Sequence, residues 1–174
     1  MAIITNNPSF PTQSQVPSNS ILDINGRQTY LGNHFCYSAN NITLSNTAET
    51  NLALIVNPAT NTKSLFLNLR RVSSTADLVQ FKFYANPTVT NAGTPVTPVN
   101  LRIANSNTSS ATVSHGQTTS ANGTLILTLE ATVDYYVTTD SDLLIILDPG
   151  NSLMSTATAA GATVVNLNVA WYEL

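Results

Sequence analysis

The sequence predicts an all-β protein: a single antiparallel β-sandwich, jelly-roll-like and built from about eight to ten strands, with an extended N-terminal arm. Short apolar or alternating segments recur about every 8 to 15 residues, separated by Gly, Pro and Asn turn signals. No segment sustains the apolar period of about 3.6 residues that marks an amphipathic helix. Charged residues make up only 9% of the chain, against roughly 25% in a typical soluble domain. Thr, Ser and Asn supply the polarity instead, which suits strands joined by many turns.

The first 27 residues predict an arm, and residues 28–174 predict the sandwich domain. Three prolines stand in "NNPSFPTQSQVPSNS", and proline forbids a stable helix and favours extended backbone. The arm either lies over its own domain or is held by something outside it. We expect the second, with the arm acting as a tether. The tether residues would be Pro8, Phe10, Pro11, Val16 and Pro17.

From about residue 28 the chain predicts one strand after another. "QTYLGNHFCY" is the first candidate. "NLALIVN" is almost continuously apolar, which predicts a strand buried on both faces, and Asn57-Pro58 ends it because proline cannot donate to a ladder. In "SLFLNLRRV", alternation places Leu65, Leu67 and Leu69 on one face. The other face then carries Phe66, Asn68 and Arg70.

The middle of the chain continues in the same way. "LVQFKFYA" predicts Val79, Phe81 and Phe83 inside, with Gln80, Lys82 and Tyr84 outside, and Asn86-Pro87 stops this strand. "TVTNAGTPVTPVN" predicts a long loop. The segment "LRIA" and a Ser/Thr stretch around residues 111–115 follow it.

The last third predicts further hairpins. Asn122-Gly123 is a strong turn signal before "TLILTLEA", where Leu125, Leu127 and Leu129 form one face. "LLIIL" predicts another buried strand, and "DPGNS" predicts a tight turn after it. The segments "SLMSTAT" and "TVVNLNVAWYE" complete the fold.

The closing strand indicates a contact surface. One face of this strand is apolar and carries Val165, Leu167, Val169 and Trp171. The residues that alternate with them give the other face amides and an aromatic ring rather than Lys and Glu. Charge is depleted in the cores of protein interfaces, so we expect this face to contact a neighbouring subunit of a homotrimer. Arg70-Arg71 would lie on opposite sides of a strand, either with one guanidinium forming an ion pair across the subunit boundary or as a surface pair in solvent. The expected interface residues are Asn166, Asn168, Tyr172, Arg70 and Arg71.

Composition argues against several classes of partner. The net charge is −3, and six scattered basic residues form neither a nucleic-acid footprint nor a polybasic membrane patch. No apolar run approaches the roughly 20 residues of a membrane helix. The start "MAIITNN" lacks the basic region of a signal peptide, so we expect synthesis in a cytoplasm. A single cysteine, Cys36, excludes an internal disulfide framework.

Candidate chemistry is sparse, and we expect neither an enzyme, a resident metal nor a cofactor. His34 and Cys36 could supply two metal ligands from one strand face, but structural zinc needs four. Asp140 and Asp142 have the spacing of calcium ligands without the glycine and distal glutamate of an EF-hand. Ser114-His115 are strand neighbours that point in opposite directions, which argues against a catalytic dyad.

Four segments together resemble a group of tailed-bacteriophage virion proteins, over about residues 49–173. Their shared features are a strand–Asn-Pro–strand start, an "NPTVT..GT" segment, an "ANGT" turn, a "PG.SL" hairpin and a last strand ending in W-Y-E. In this chain they read "ETNLALIVNPATNTKSLFLNLRRV", "FKFYANPTVTNAGTPVTPVNL", "SANGTLILTL" and "LLIILDPGNSLMSTATAAGATVVNLNVAWYE". The resemblance does not extend to the arm.

The resemblance implies a structural protein of the virion, associated with capsid, neck or tail, and carries over no catalytic residue. Its partners would be other virion proteins. The alternative is a fibre or collar protein with a receptor-binding or carbohydrate-binding role. Tyr135-Tyr136 beside Asp134 is the candidate sugar-binding group in that case.

Overall fold

The structure, a computed structural model, describes residues 24–45, 48–75, 78–133, 136–139 and 144–174. Within these ranges the chain is all-β, with two antiparallel sheets packed face to face, a small two-stranded ribbon and one short helix. The predicted fold class is therefore confirmed. The number of strands was underestimated, because residues 88–100, predicted as a long loop, contain three short strands: Thr88–Asn91, Thr94–Val96 and Val99–Asn100.

The elements of the described residues follow in chain order. The first group is α1 Ile24–Leu31, β1 His34–Leu44, β2 Thr50–Val56, β3 Leu65–Ser74, β4 Val79–Ala85, β5 Thr88–Asn91, β6 Thr94–Val96 and β7 Val99–Asn100. The second group is β8 Thr112–His115, β9 Thr118–Ala121, β10 Thr124–Ala131, β11 Tyr136–Thr139, β12 Ile145–Leu147, β13 Ser152–Ala159 and β14 Thr163–Glu173.

Sheet A has the strand order β11-β3-β14-β1-β7, with β12 also paired to β3. Sheet B has the order β10-β4-β13-β2-β8-β6. The ribbon formed by β5 and β9 packs on the outside of sheet B, where Val89 contacts a small cluster of Leu54, Tyr84 and Met154. Sheet B is thus covered on both faces in its centre.

The main core lies between the two sheets. The inward residues predicted for the closing strand are all buried, and so are Val79, Phe81 and Phe83 of β4 and the apolar run of β2. Trp171 is completely buried and lies 6.4 Å from the ring of Phe35 on the neighbouring strand. Residues from both sheets therefore bury one continuous apolar layer, which is the main source of stability in such a fold.

A bulge in β3 overturns the predicted alternation of that strand. Leu67 pairs with Trp171 of β14, but Leu69 pairs with Ala170, so Asn68 is an extra residue. An inserted residue exchanges the two faces for the rest of a strand. As a result Arg70, predicted on the face opposite Leu65 and Leu67, shares the buried side with them and is 0% exposed. The predicted position of the Leu69 side chain lies outside what the structure describes.

The first predicted strand was also wrong. "QTYL" belongs to α1, and β1 begins only at His34. Gly32, at φ +74°, ends the helix in the left-handed conformation, and its N–H donates to the carbonyl of Thr29 at 3.0 Å. Residues 24–27 of the predicted arm are therefore helical. The rest of the arm, with Pro8, Phe10, Pro11, Val16 and Pro17, lies outside the described residues.

The turn predictions hold at three places. Strand β2 ends before Asn57-Pro58, and β4 ends before Asn86-Pro87. The Asp148–Asn151 segment forms a turn closed by the Asn151 N–H donating to the Asp148 carbonyl at 3.1 Å. By contrast, "LLIIL" was expected to be buried, yet Leu144 and Ile146 are exposed. In β10, Leu125 is also exposed, because a bulge between Leu125 and Leu127 breaks the predicted face.

The turn between β9 and β10 supplies a test of the backbone. Gly123 has φ +84°, and a Cβ there would lie 2.2 Å from the Ala85 carbonyl oxygen. We expect Gly123→Ala to lower the free energy of unfolding by about 1–3 kcal/mol, because it adds both left-handed strain and a backbone clash. Chemical denaturation measures the loss.

Gly161→Ala is the matched control, because a Cβ at Gly161 meets nothing within 4 Å. We expect it to leave the denaturation midpoint nearly unchanged. Equal effects of the two substitutions would contradict the described geometry of the β9–β10 turn.

Candidate contact surface

The outer face of sheet A carries the predicted interface residues, but it is divided into a covered half and an open half. On β14, Asn166 pairs with Ser73, Asn168 pairs with Arg71, and Tyr172 pairs with Phe66, all on β3. Helix α1 packs on β1 and β14. The covered half lies at the C-terminal end of β14, and the open half lies around Asn166 and Asn168.

Tyr172 belongs to the covered half. Its ring stacks on Phe66 at 5.1 Å between centroids and meets His34 edge-on at 6.2 Å. Tyr172 is buried, and this burial raises the pKa of its hydroxyl. A side chain that is buried within its own chain offers no contact surface. The burial of Tyr172 against Phe66 and His34 argues against the expectation that it faces a neighbouring subunit.

Arg70 is removed from the predicted interface for a different reason. Its side chain is turned into the sandwich by the β3 bulge, where one terminal guanidinium nitrogen, Nη1, donates to the Leu67 carbonyl at 3.0 Å. Burial lowers the pKa of Arg70. The expectation of opposite sides for Arg70 and Arg71 is confirmed, but Arg71 alone reaches the surface.

A chain of polar contacts fixes α1 on the sheet. Thr29 Oγ1 lies 2.7 Å from His34 Nδ1, and His34 Nε2 lies 3.3 Å from Asn68 Oδ1. The Asn68 amide then donates to Asn25 Oδ1 at 2.8 Å. Both His34 ring nitrogens are thus engaged in holding the helix. The bulge that turns Arg70 inward is the same one that presents Asn68 to this chain.

The open half forms a shallow groove of about 410 Å³. At its rim the guanidinium carbon of Arg71 lies 5.0 Å from the ring centroid of Tyr136, which is 65% exposed. This is a cation–π arrangement. Arg71 Nε also donates to Thr138 Oγ1 at 3.4 Å. The groove is lined by Arg71, Ser73, Ser74, Thr75, Val133, Tyr136 and Asn166.

The two predicted amides of the open half have different roles. Asn166 donates to Ser73 Oγ at 3.1 Å and accepts from the Asn41 N–H at 2.8 Å, at a bulge of β1. Its amide is therefore used inside the chain. The Asn168 side chain is half-buried between Ser38 and Arg71 and makes no hydrogen bond within the described part of the chain. Asn168 and Arg71 are the predicted interface residues that remain available.

The edge strand β10 is a second exposed feature, which the sequence analysis did not single out. Leu125 is 50% exposed and Ile126 is 43% exposed. Both lie in the N-terminal half of β10, which forms one edge of sheet B. An exposed apolar edge strand is a template for pairing with another chain. The run "TLIL" is itself the signal that could have identified it.

The geometry gives little support to the other candidate catalytic and metal-binding residues. Ser114 is buried while His115 is exposed, in line with opposite orientations. Burial raises the pKa of the Cys36 thiol. Among the described residues no group of three or more His, Cys, Asp or Glu is placed to hold a metal ion. Asp134, Tyr135, Asp140 and Asp142 lie outside the described residues.

A comparison with known protein families, characterised proteins and solved structures finds no match. In the part of the chain that the structure describes, no helix is long and apolar enough to span a membrane.

The α1 attachment can be tested at Thr29. We expect Thr29→Val, which keeps the shape and removes Oγ1, to cost about 1 kcal/mol of stability by breaking the contacts to His34 and to the Asn25 carbonyl. Amide hydrogen exchange in residues 24–31 should accelerate more than in the strands. Chemical denaturation and exchange mass spectrometry measure the two effects.

Thr112→Val is the control, because Thr112 is exposed on β8 and makes no side-chain hydrogen bond in the described part of the chain. If both variants behaved alike, or if exchange in α1 did not change, the polar chain would not be what holds the helix.

Proposed function

We propose that this protein is a structural subunit of a virus particle, most specifically a capsid-associated protein of a tailed bacteriophage. It would bind the particle through its arm and its uncharged surfaces. The observation that carries the proposal is an exterior poor in charge and rich in exposed large apolar side chains. Within the described residues these include Leu125, Ile126, Ile146, Val99 and Ile103.

Such an exterior favours burial against other protein. A charged face must lose its hydration when it is buried, which costs several kcal/mol per ion unless each charge is paired. Amides and hydroxyls cost less, and their hydrogen bonds can be replaced across an interface. Charged residues make up only 9% of the chain. Most of the exterior could therefore be buried without removing charge from water.

The sequence resemblance to phage virion proteins supports the same role. In this proposal the protein is made in the host cytoplasm, is carried in the virion as a homotrimer and acts by adhesion rather than catalysis. It needs no cofactor, nucleic acid or membrane. Its partners are other virion proteins of the shell, neck or tail.

Asn168 tests the contact surface. We expect Asn168→Lys to weaken association with sister subunits and with capsids by at least about tenfold, because it places a buried cation beside Arg71. The fold should survive, since Asn168 makes no side-chain hydrogen bond within the described chain. Sedimentation with empty capsids and light scattering of the free protein measure the effect.

Thr62→Lys adds the same charge at an exposed loop position and should change neither measurement. Full particle binding by the Asn168 variant would refute a contact through this face. A protein that never sediments with capsids, while remaining folded, would refute the viral role itself.

A second candidate function has one specific observation in its favour. The exposed Tyr136 ring beside Arg71, over a groove lined by hydroxyls, has the components of a sugar-binding site: an aromatic face for the sugar ring and polar groups for its hydroxyls. This is the receptor-binding role of a fibre or collar protein. The groove is shallow, which fits a weak ligand used in several copies.

Tyr136→Ala tests the sugar site on a glycan array. We expect the variant to lose any binding signal of the unmodified chain. Tyr30→Ala is the matched control, because Tyr30 also lies under an arginine, with Arg102 at 5.2 Å, but at the other edge of the sheet. An array without any signal, or equal losses in both variants, would count against this function.

A further inference from the structure

The open edge of β10 is unlike the other sheet edges of the described chain. One side of β10 pairs with β4 along its length. On the other side, no described strand pairs with it, and the chain closes over it only beyond Ala131, where Val133 bridges to Ser74. The N-terminal half of β10, with Leu125 and Ile126, therefore presents unpaired backbone and apolar side chains together.

Proteins usually protect an edge strand by making it short, by placing proline or lysine on it, or by covering it. The other edges follow this rule: β6 has 3 residues including Pro95, β7 has 2, β11 has 4 and β12 has 3. Strand β10 has 8 residues, no proline or lysine, and one charged residue, Glu130. Because Glu130 lies at the closed end, the open half has no protection of its own.

The chain contains a segment suited to cover this edge. Residues 1–22 carry no charged side chain, so they can pack on an apolar edge without burying a charge. The first seven residues, "MAIITNN", contain no proline and keep every backbone donor that follows the N-terminus. Ile3, Ile4 and Thr5 are β-branched and favour strands.

The segment between these residues and the domain is long enough to act as a spacer. Residues 8–23 can span about 50 Å when extended, at roughly 3.3 Å per residue. Its three prolines, Pro8, Pro11 and Pro17, disfavour a helix in this part of the sequence. The spacer joins the domain at Ile24 on the outer face of sheet A, whereas β10 belongs to sheet B. A segment of this length can reach the β10 edge of a neighbouring molecule.

We propose that Met1–Asn7 of a second copy adds as a strand to the open edge of β10. The main-chain ladder would satisfy the unpaired groups of residues 124–128, and the isoleucines would cover Leu125 and Ile126, which is recognition by β-augmentation. Because each copy both gives and receives a strand, the contact can be repeated around a ring, which is compatible with the proposed trimer. This contact between copies rests on the proposed function. It can nevertheless be tested on the purified protein in the absence of virus particles.

Disulfide trapping between two different chains tests the exchange directly. In a Cys36→Ala background, one full-length chain carries Thr5→Cys and the other carries Thr128→Cys, and the two are mixed and mildly oxidised. We expect a covalent pair containing one chain of each kind. A third chain with Thr12→Cys, in the spacer, is the matched control and should give at least about tenfold less product, since its thiol is not held at the edge.

Proline substitutions supply the second readout without touching the domain. Ile3→Pro with Thr5→Pro removes two backbone donors from the proposed strand. We expect it to reduce the molar mass in light scattering to that of the monomer and to speed amide exchange in residues 124–128 by at least about tenfold. Thr12→Pro with Ser14→Pro, in the spacer, should leave both measurements unchanged.

Three outcomes would overturn the inference. One is a monomeric unmodified chain with fast exchange in β10. Another is an assembly that survives both the proline pair and deletion of residues 1–7. The third is a monomeric unmodified chain in which amide exchange of β10 is slow and becomes fast in the proline variant. This would show that the added strand comes from the same molecule. An assembly that behaves as expected but never binds a capsid would refute the viral role and leave the strand exchange in place.

Discussion

The pairing of β14 with both β1 and β3 is the constraint on which the rest of sheet A depends. Its inner residues bury Trp171 against sheet B, and its C-terminal end is buried on the outer side as well, under α1. A strand buried on both faces cannot also be a contact surface along its whole length. A contact with a partner through this face, as proposed above, would be restricted to the open half, where Asn168 and Arg71 lie beside each other.

The end of β14 also fixes the long loop before β8. The Glu173 carboxylate is buried and accepts hydrogen bonds from Ser109 Oγ at 2.7 Å, from the Ser110 N–H at 3.0 Å and from Ser110 Oγ at 2.7 Å. Trp171 Nε1 lies 3.4 Å from the same carboxylate. Four donors from Ser109, Ser110 and Trp171 thus converge on this carboxylate and tie the loop to the end of β14. This arrangement gives a structural reason for a strand that ends in Trp-x-Glu.

The sequence predicted what depends on local alternation and turn chemistry, and it missed what depends on tertiary contacts. The faces of β4 and β14 and the Asn-Pro strand ends were correct because each follows from neighbouring residues. The bulge at Asn68 has no local signal in the sequence. It alone moves Arg70 from the predicted outer face of β3 to the buried face. Helix α1 lacks an apolar stripe and is held by polar contacts to His34 and Asn68, so periodicity could not reveal it. The burial of Tyr172 at this end of β14 was not predictable from alternation for the same reason.

In the structure, the low charge of the chain can be related to one particular edge strand. Low charge spread evenly over a monomer would only reduce its solubility. Here the exposed apolar residues of β10 coincide with unpaired backbone on the longest open edge of the described sheets, while the shorter edges carry proline or end early. The edge strands β6, β7, β11 and β12 are short or carry proline, whereas the open half of β10 has neither form of protection. An edge left unprotected in this way is consistent with a strand that is covered in the working state, and the uncharged N-terminal segment is the part of this chain best suited to cover it.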